Sequence, residues 1–173
     1  MRSATTYDAR AVANYFLDLA KRDGKEITPM GIEKLVYFAH GWSLGVYGTP
    51  LINQRIEASQ YGPSIRELGD EFRRFGNTKI TSSAFVCERG PDGAFKPTFP
   101  GIPKSDPATV QLLDQVWLAY RDFTAIQLSN MTHEPDSPWH EAFENNRPFI
   151  DDESIKAYFS EKASSNAARS KAT

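Results

Sequence analysis

The segment PMGIEKLVYFAHGWSLGVYG, residues 29–48, has the pattern of a helix that is apolar on most sides. Thr28 lies at an N-cap position and Pro29 at the first helical position, where the N–H that proline lacks would have no partner. One stripe contains Ile32, Leu35, Val36, Ala39 and Val46, while Tyr37, Phe38 and Trp42 cover much of the remaining surface. Because a helix with this pattern is usually buried, we expect residues 29–47 to form the central helix.

Two glycines, Gly41 and Gly45, interrupt this apolar segment. Glycine inside a helix costs about 1 kcal/mol relative to alanine. We therefore expect another segment of backbone to approach the central helix closely at these positions.

The rest of the chain predicts an α+β, mainly α fold around the central helix. Caps and helical spacing predict further helices over about 8–22, 63–75, 107–120, 126–131, 138–143 and 152–159. Short strands over about 54–61 and 83–97 form a small antiparallel β element. We expect one domain over residues 1–159, followed by a disordered polar tail over residues 160–173.

Composition indicates a cytoplasmic protein that does not bind membranes, and it argues against nucleic-acid binding. The 173 residues carry a net charge of −2 and the pI is about 5.9, whereas nucleic-acid binders usually have a basic excess. Cys87 has no second cysteine to pair with, which is typical of a reducing compartment. The first residues lack the apolar core of a secretory signal, and no window resembles a membrane span.

The segment THEPDSPWH, residues 132–140, contains enough potential ligands to suggest a metal site. However, His133 and His140 are seven residues apart with two prolines between them, so one helix cannot direct both side chains to the same ion. A structural interpretation explains more of the segment. Ser137 would cap a new helix, Pro138 would occupy its first position, and Trp139 would face the core.

Catalytic motifs are absent from the sequence. GWSLG, residues 41–45, matches the GxSxG pattern of a nucleophile elbow, but it lies in a helical pattern, whereas the elbow follows a strand. There is no phosphate-binding GxxxxGK[ST] or GxGxxG loop. We therefore predict no enzymatic activity, no catalytic residue, no metal and no cofactor.

The segment IRELGDEFRRFG, residues 65–76, mixes basic and acidic residues on one predicted helix. Such a mixture usually indicates a solvated face. A protein-binding face is the alternative, because arginine and aromatic residues are enriched at interface hot spots.

Two blocks of the sequence resemble the Panacea, or SocA-like antitoxin, domain family. The first block, residues 27–76, contains a "KL-Y-A-GW" helix and an "IEA--YGP" strand and turn. The second block, residues 112–142, contains "LLD-VW--Y" and "LS--TH---SPW". Ser59 and Gln60 replace the aromatic and basic pair that is usual before Tyr61. The resemblance covers roughly residues 8–159.

The resemblance implies an antitoxin whose partner is a cognate toxin protein bound by direct contact. Family members either block the toxin or deliver it to the ClpXP protease, and the sequence leaves both mechanisms open. We expect the toxin contacts to include Tyr61, Arg66, Arg73 and Arg74. The motif residues expected to be structural are Leu35, Tyr37, Trp42, Gly62, Pro63, Trp117, His133, Ser137, Pro138 and Trp139.

Two alternative functions remain open from the sequence. A DNA-binding autoregulator of its own operon would use the helices within residues 9–47 as a helix-turn-helix. A metal-dependent enzyme would use His133 and His140.

Overall fold

The computed structural model describes residues 5–171 and has seven α-helices and five short strands in that range. The helices are α1 Ala9–Asp23, α2 Pro29–Trp42, α3 Arg66–Phe72, α4 Pro107–Tyr120, α5 Ala125–Thr132, α6 Pro138–Glu144 and α7 Asp152–Lys171. The strands are β1 Ile56–Ser59, β2 Gly62–Ser64, β3 Val86–Arg89, β4 Phe95–Thr98 and β5 Phe149–Ile150. This architecture confirms the predicted α+β, mainly α fold.

Helix α2 is the central helix, as predicted. Ten of its fourteen residues are buried, and it contacts helices α1, α3, α4, α5 and α7 as well as strand β2. Thr28 caps its N-terminus by accepting a hydrogen bond from the Gly31 N–H, and Pro29 occupies the first turn. The apolar side chains on all sides of this helix therefore form the surface on which most other elements pack.

A π-helical turn, Ser43–Tyr47, continues α2 and ends at Gly48, which has a φ of 70°. The wider turn changes the direction of the following side chains. Val46, expected on the buried stripe, is 54% exposed. That part of the prediction was wrong because it assumed an unbroken 3.6-residue period.

Both interior glycines face α7. A Cβ on Gly45 would lie 2.6 Å from the backbone carbonyl carbon of Phe159, and a Cβ on Gly41 would lie 2.3 Å from the Phe159 ring. The expected close backbone approach is therefore present at Gly45. At Gly41 the space is occupied by a buried aromatic ring instead.

We predict that Gly41→Ala lowers the free energy of unfolding by about 1–3 kcal/mol, because the new methyl group overlaps a ring that has no room to move. Gly31→Ala is the matched control in the same helix. Its Cβ would meet neighbours at ordinary distances of 3.5 Å and beyond, so the gain in helix propensity should leave stability unchanged or improved. Urea denaturation of both variants measures the difference, and equal stabilities would contradict this packing.

The strands form two separate antiparallel sheets, one with the order β2-β1-β5 and the other the β3-β4 hairpin. Both predicted strand regions are present, but they do not pair with each other. Pro63 was expected to open the third helix. Instead it pairs with Ala58 in strand β2, and α3 begins at Arg66. Gly62 has a φ of 101°, which turns the chain back tightly enough for Pro63 to continue as a strand.

Helix α7 extends through residues 160–171, where we expected a disordered tail. Ile155 and Phe159 in its first half are buried and anchor the helix. Beyond them, the Ser160 hydroxyl donates to the Gly45 carbonyl oxygen at 3.2 Å. Alanine, lysine and arginine are good helix formers, so an anchored helix can propagate through this segment. Residues 172 and 173 of the expected tail lie outside the described residues.

Candidate functional site

The turn between β1 and β2 presents Tyr61 to solvent. Ser59 pairs with Gly62 across the hairpin, so Gln60 and Tyr61 form a two-residue loop. The Tyr61 side chain is 63% exposed, while Gly62 and Pro63 directly after it are buried. We call residues 59–63 the presenting turn.

Two helices hold the backbone of this turn through buried polar side chains. From α2, the Lys34 ammonium donates to the Pro63 carbonyl oxygen at 2.7 Å, although only 1% of Lys34 is exposed. From α5, the Ser129 hydroxyl donates to the Tyr61 carbonyl oxygen at 3.0 Å. Within the turn, the Ser59 hydroxyl donates to the Gly62 carbonyl oxygen at 2.8 Å. The turn is therefore fixed along its length.

Helix α6 holds the turn from a third side. The Trp139 indole N–H donates to the Ser59 carbonyl oxygen at 2.7 Å, and the His133 and Trp139 rings lie 4.0 Å apart. The Ser137 hydroxyl donates to the Thr132 carbonyl oxygen at 2.8 Å, which ties α6 to α5. We refer to these contacts among α2, the presenting turn, α5 and α6 as the junction.

The segment THEPDSPWH thus has an architectural role. Ser137 accepts from the His140 backbone N–H as the α6 cap, and the His133 Nδ1–H donates to the Ser129 carbonyl oxygen at 2.6 Å. Within residues 5–171, no three His, Cys, Asp or Glu side chains come together in a group that could hold a metal ion. The His133 ring and the His140 backbone N–H thus both take part in local contacts of this segment.

The remaining motif residues divide between core and surface. Leu35, Tyr37 and Trp117 are buried in the core, as expected. Trp42 is only partly buried. Its indole N–H donates to the Tyr120 hydroxyl at 2.9 Å, and its ring lies edge-on to Phe159.

The three arginines predicted to contact a toxin are all exposed on α3 and the turn that follows it. Arg66 forms an ion pair with Glu57 of β1, with 2.7 Å between its guanidinium nitrogen and the carboxylate oxygen. Arg73 forms an ion pair with Asp70, one turn earlier. Arg66 thus lies beside the hairpin, whereas Arg73 lies about 10 Å further along the helix axis.

Sequence spacing did not identify Lys34, Ser59 and Ser129 as residues that hold the presenting turn. A signal for two of them was present, since Lys34 interrupts an apolar helix and both Lys34 and Ser129 belong to the quoted motifs. Their partners are backbone carbonyl groups distant in sequence, which spacing alone does not identify.

Glu33, next to the junction lysine, has an altered pKa. Burial raises the pKa of its carboxyl from 4.5 to about 7, opposed in part by the charge of Lys34 and by a hydrogen bond from the Ile65 backbone. Burial also lowers the pKa of Lys34. Neighbouring ionisable groups on α2 therefore both lose part of their preference for the charged form.

We predict that the Glu33→Gln variant loses a pH dependence of stability that the wild type shows between about pH 4.5 and 7. The folded protein retains the Glu33 proton up to about pH 7, whereas the unfolded chain releases it near 4.5. Protonation therefore stabilises the fold, and this contribution, roughly 1–3 kcal/mol, disappears as the pH rises through the window. Urea denaturation across this range measures the effect, and parallel profiles for the two proteins would contradict it.

Helix α2 has no polar face available for DNA, because its neighbours bury most of it. A recognition helix must present polar side chains to base edges, so the structure argues against the helix-turn-helix alternative. No helix in the described part of the chain combines the length and the apolar character that a membrane span requires.

The fold and the junction define a mainly helical domain in which both sequence blocks meet at one turn. Residues 32–140 match the family described as "Antitoxin SocA-like, Panacea domain", and this chain belongs to that family. Antitoxin SocA of Caulobacter vibrioides (strain NA1000 / CB15N) is 31% identical over 137 residues, which cover 76% of this chain and 68% of the relative. No solved structure matches the chain. Membership confirms the resemblance and supports an antitoxin role with a toxin as partner.

Proposed function

We propose that this protein neutralises its cognate toxin by direct protein–protein contact through the presenting turn, without catalysing a reaction. The observation that carries this proposal is the combination of an exposed Tyr61 side chain with a backbone held by α2, α5 and α6. Family membership supplies the class of partner.

Tyrosine on a fixed turn is well suited to recognition. Tyrosine, tryptophan and arginine dominate interface hot spots. A loop that is already ordered loses little conformational entropy on binding, so more of the contact energy appears as affinity. The junction provides this order. Buried or half-buried side chains donate hydrogen bonds to the carbonyl oxygens of Ser59, Tyr61, Gly62 and Pro63.

The arginines of α3 extend this surface. Arg66, Asp70 and Arg73 follow helical spacing and are exposed, so one face of the helix continues from the hairpin. The ion pairs of Arg66 and Arg73 are exposed and contribute little to stability. These guanidinium groups can therefore exchange their partners for carboxylates of a toxin at small cost to the fold.

Co-expression tests the antitoxin role. The protein product of the neighbouring gene should arrest growth when expressed alone, and co-expression of this chain should restore growth. A copy of the gene with an early stop codon controls for transcription and RNA effects. Growth arrest that persists in the presence of the full-length protein would overturn the proposal.

Blocking and delivery to the ClpXP protease are separated by the half-life of the toxin. If the protein only blocks the toxin, the half-life is unchanged when the protease is present. If the protein delivers the toxin, the half-life shortens only in cells that contain the protease. Pulse-chase measurements in cells with and without ClpXP distinguish the two mechanisms.

A further inference from the structure

A groove of about 1020 Å³ lies between α7 and the turn that joins α5 to α6. Trp42, Tyr120 and Tyr158 contribute aromatic surface to it. No residue of the presenting turn lines the groove, so it is a second surface with a different composition.

The groove has an excess of negative charge. Its lining contains the five carboxylates of Glu134, Asp136, Glu141, Glu153 and Glu161, against the two cations Lys162 and Arg169. Glu134 pairs with Lys162, and Glu141 pairs with Arg147 at the edge. For Asp136, Glu153 and Glu161, the described residues provide no ion-pair partner. Three carboxylates of the groove lining therefore form no ion pair within residues 5–171.

A cation of the protein itself shows how the groove holds positive charge. The Lys162 ammonium lies 3.0 Å from a Glu134 carboxylate oxygen and 4.8 Å from the centre of the Tyr158 ring. A carboxylate beside an aromatic face is a favourable environment for ammonium and guanidinium groups. The Lys162 neighbourhood is thus a binding arrangement already formed, and the adjacent carboxylates extend it.

The α7 wall of the groove has room for a second chain. Glu153, Ala157, Glu161 and Ser165 follow one another at intervals of four residues and line the groove. The small side chain of Ala157 separates the two carboxylates and Ser165 follows Glu161. All four residues belong to a helix whose buried residues, Ile155 and Phe159, do not line the groove. This face of α7 is accordingly polar, accessible and acidic.

The geometry points to a docking site for a basic polypeptide segment, with lysine or arginine side chains bound by Glu153, Glu161 and Asp136 over the aromatic floor. Charge complementarity identifies the occupant, since a segment of this kind neutralises the unpaired carboxylates while its alkyl stems cover Trp42 and Tyr158. The site goes beyond toxin contact at Tyr61, and neutralisation by the presenting turn does not require it.

Fluorescence anisotropy with a labelled peptide that alternates lysine and alanine tests the site. The Glu153→Gln/Glu161→Gln double variant should bind this peptide at least about fivefold more weakly than wild type. The control double variant Asp18→Asn/Glu88→Gln has the same net charge but changes exposed carboxylates outside the groove. It should bind within about twofold of wild type.

A glutamate–alanine peptide should not bind, and added salt should weaken binding of the lysine peptide. Ala157→Arg, which places a guanidinium group on the groove wall, should also reduce binding. Equal losses in the groove variant and the control variant would show a nonspecific effect of net charge and overturn the proposal. Binding that none of the groove variants alters would overturn it as well.

Discussion

Phe159→Ala should lower the free energy of unfolding by about 3–5 kcal/mol, the range for deleting a buried phenylalanine ring. Phe159 is 1% exposed, and its ring contacts the rings of Tyr37, Phe38 and Trp42. It also fills the space beside Gly41. Because Phe159 occupies the space beside both Gly41 and Gly45, its removal should loosen the whole of α7.

Two measurements examine this expectation. Urea denaturation gives the change in stability, and hydrogen exchange should show lost protection in α7 before other helices. Phe95→Ala is the control, because Phe95 is 71% exposed and its truncation should change stability by no more than about 0.5 kcal/mol. A loss below about 1 kcal/mol for Phe159→Ala would mean that α7 is not anchored as described.

Gly62→Ala is expected to cost about 2–6 kcal/mol through two separate effects. The φ of Gly62 is 101°, a conformation that strains any residue with a Cβ by about 1–3 kcal/mol. The added Cβ would also lie 2.6 Å from the Thr132 hydroxyl oxygen and 3.3 Å from the Lys34 side chain. Relieving that overlap costs about 1–3 kcal/mol more and displaces groups of the junction.

Gly24→Ala separates strain from crowding. Gly24 also has a positive φ, 65°, but a Cβ there would meet nothing within 4 Å. Its substitution should therefore cost only about 1 kcal/mol, for the left-handed backbone alone. Thermal and urea denaturation of both variants give the comparison. Equal losses would show that Gly62 matters for its backbone conformation and not for close packing of the junction.

The sequence predicted the features of the fold that depend on local chemistry. Asp8, Thr28, Asp106 and Ser137 cap the helices that follow them, and Thr124 forms a capping box with Gln127. Side chains within four residues of one another determine these contacts, so spacing is sufficient to identify them.

Features that depend on distant contacts could not be predicted in this way. Lys34 is tolerated in the core because its ammonium group donates a hydrogen bond to a carbonyl oxygen twenty-nine residues later, and nothing near Lys34 in the sequence signals that partner. The same holds for α7, whose helical extension depends on docking of Phe159 against Gly45. The exposed residues Arg66, Arg73 and Arg74 were placed on the surface correctly, but their role in toxin binding remains a prediction.

The most direct test of the account is the affinity of the Tyr61→Ala variant for the cognate toxin. Isothermal titration calorimetry should show a loss of at least about 2 kcal/mol, equivalent to roughly thirtyfold in Kd, with no change in thermal stability because the side chain is exposed. Tyr47→Ala, at another partly exposed tyrosine, should bind as wild type does. Unchanged affinity for Tyr61→Ala would contradict the claim that the presenting turn contacts the toxin.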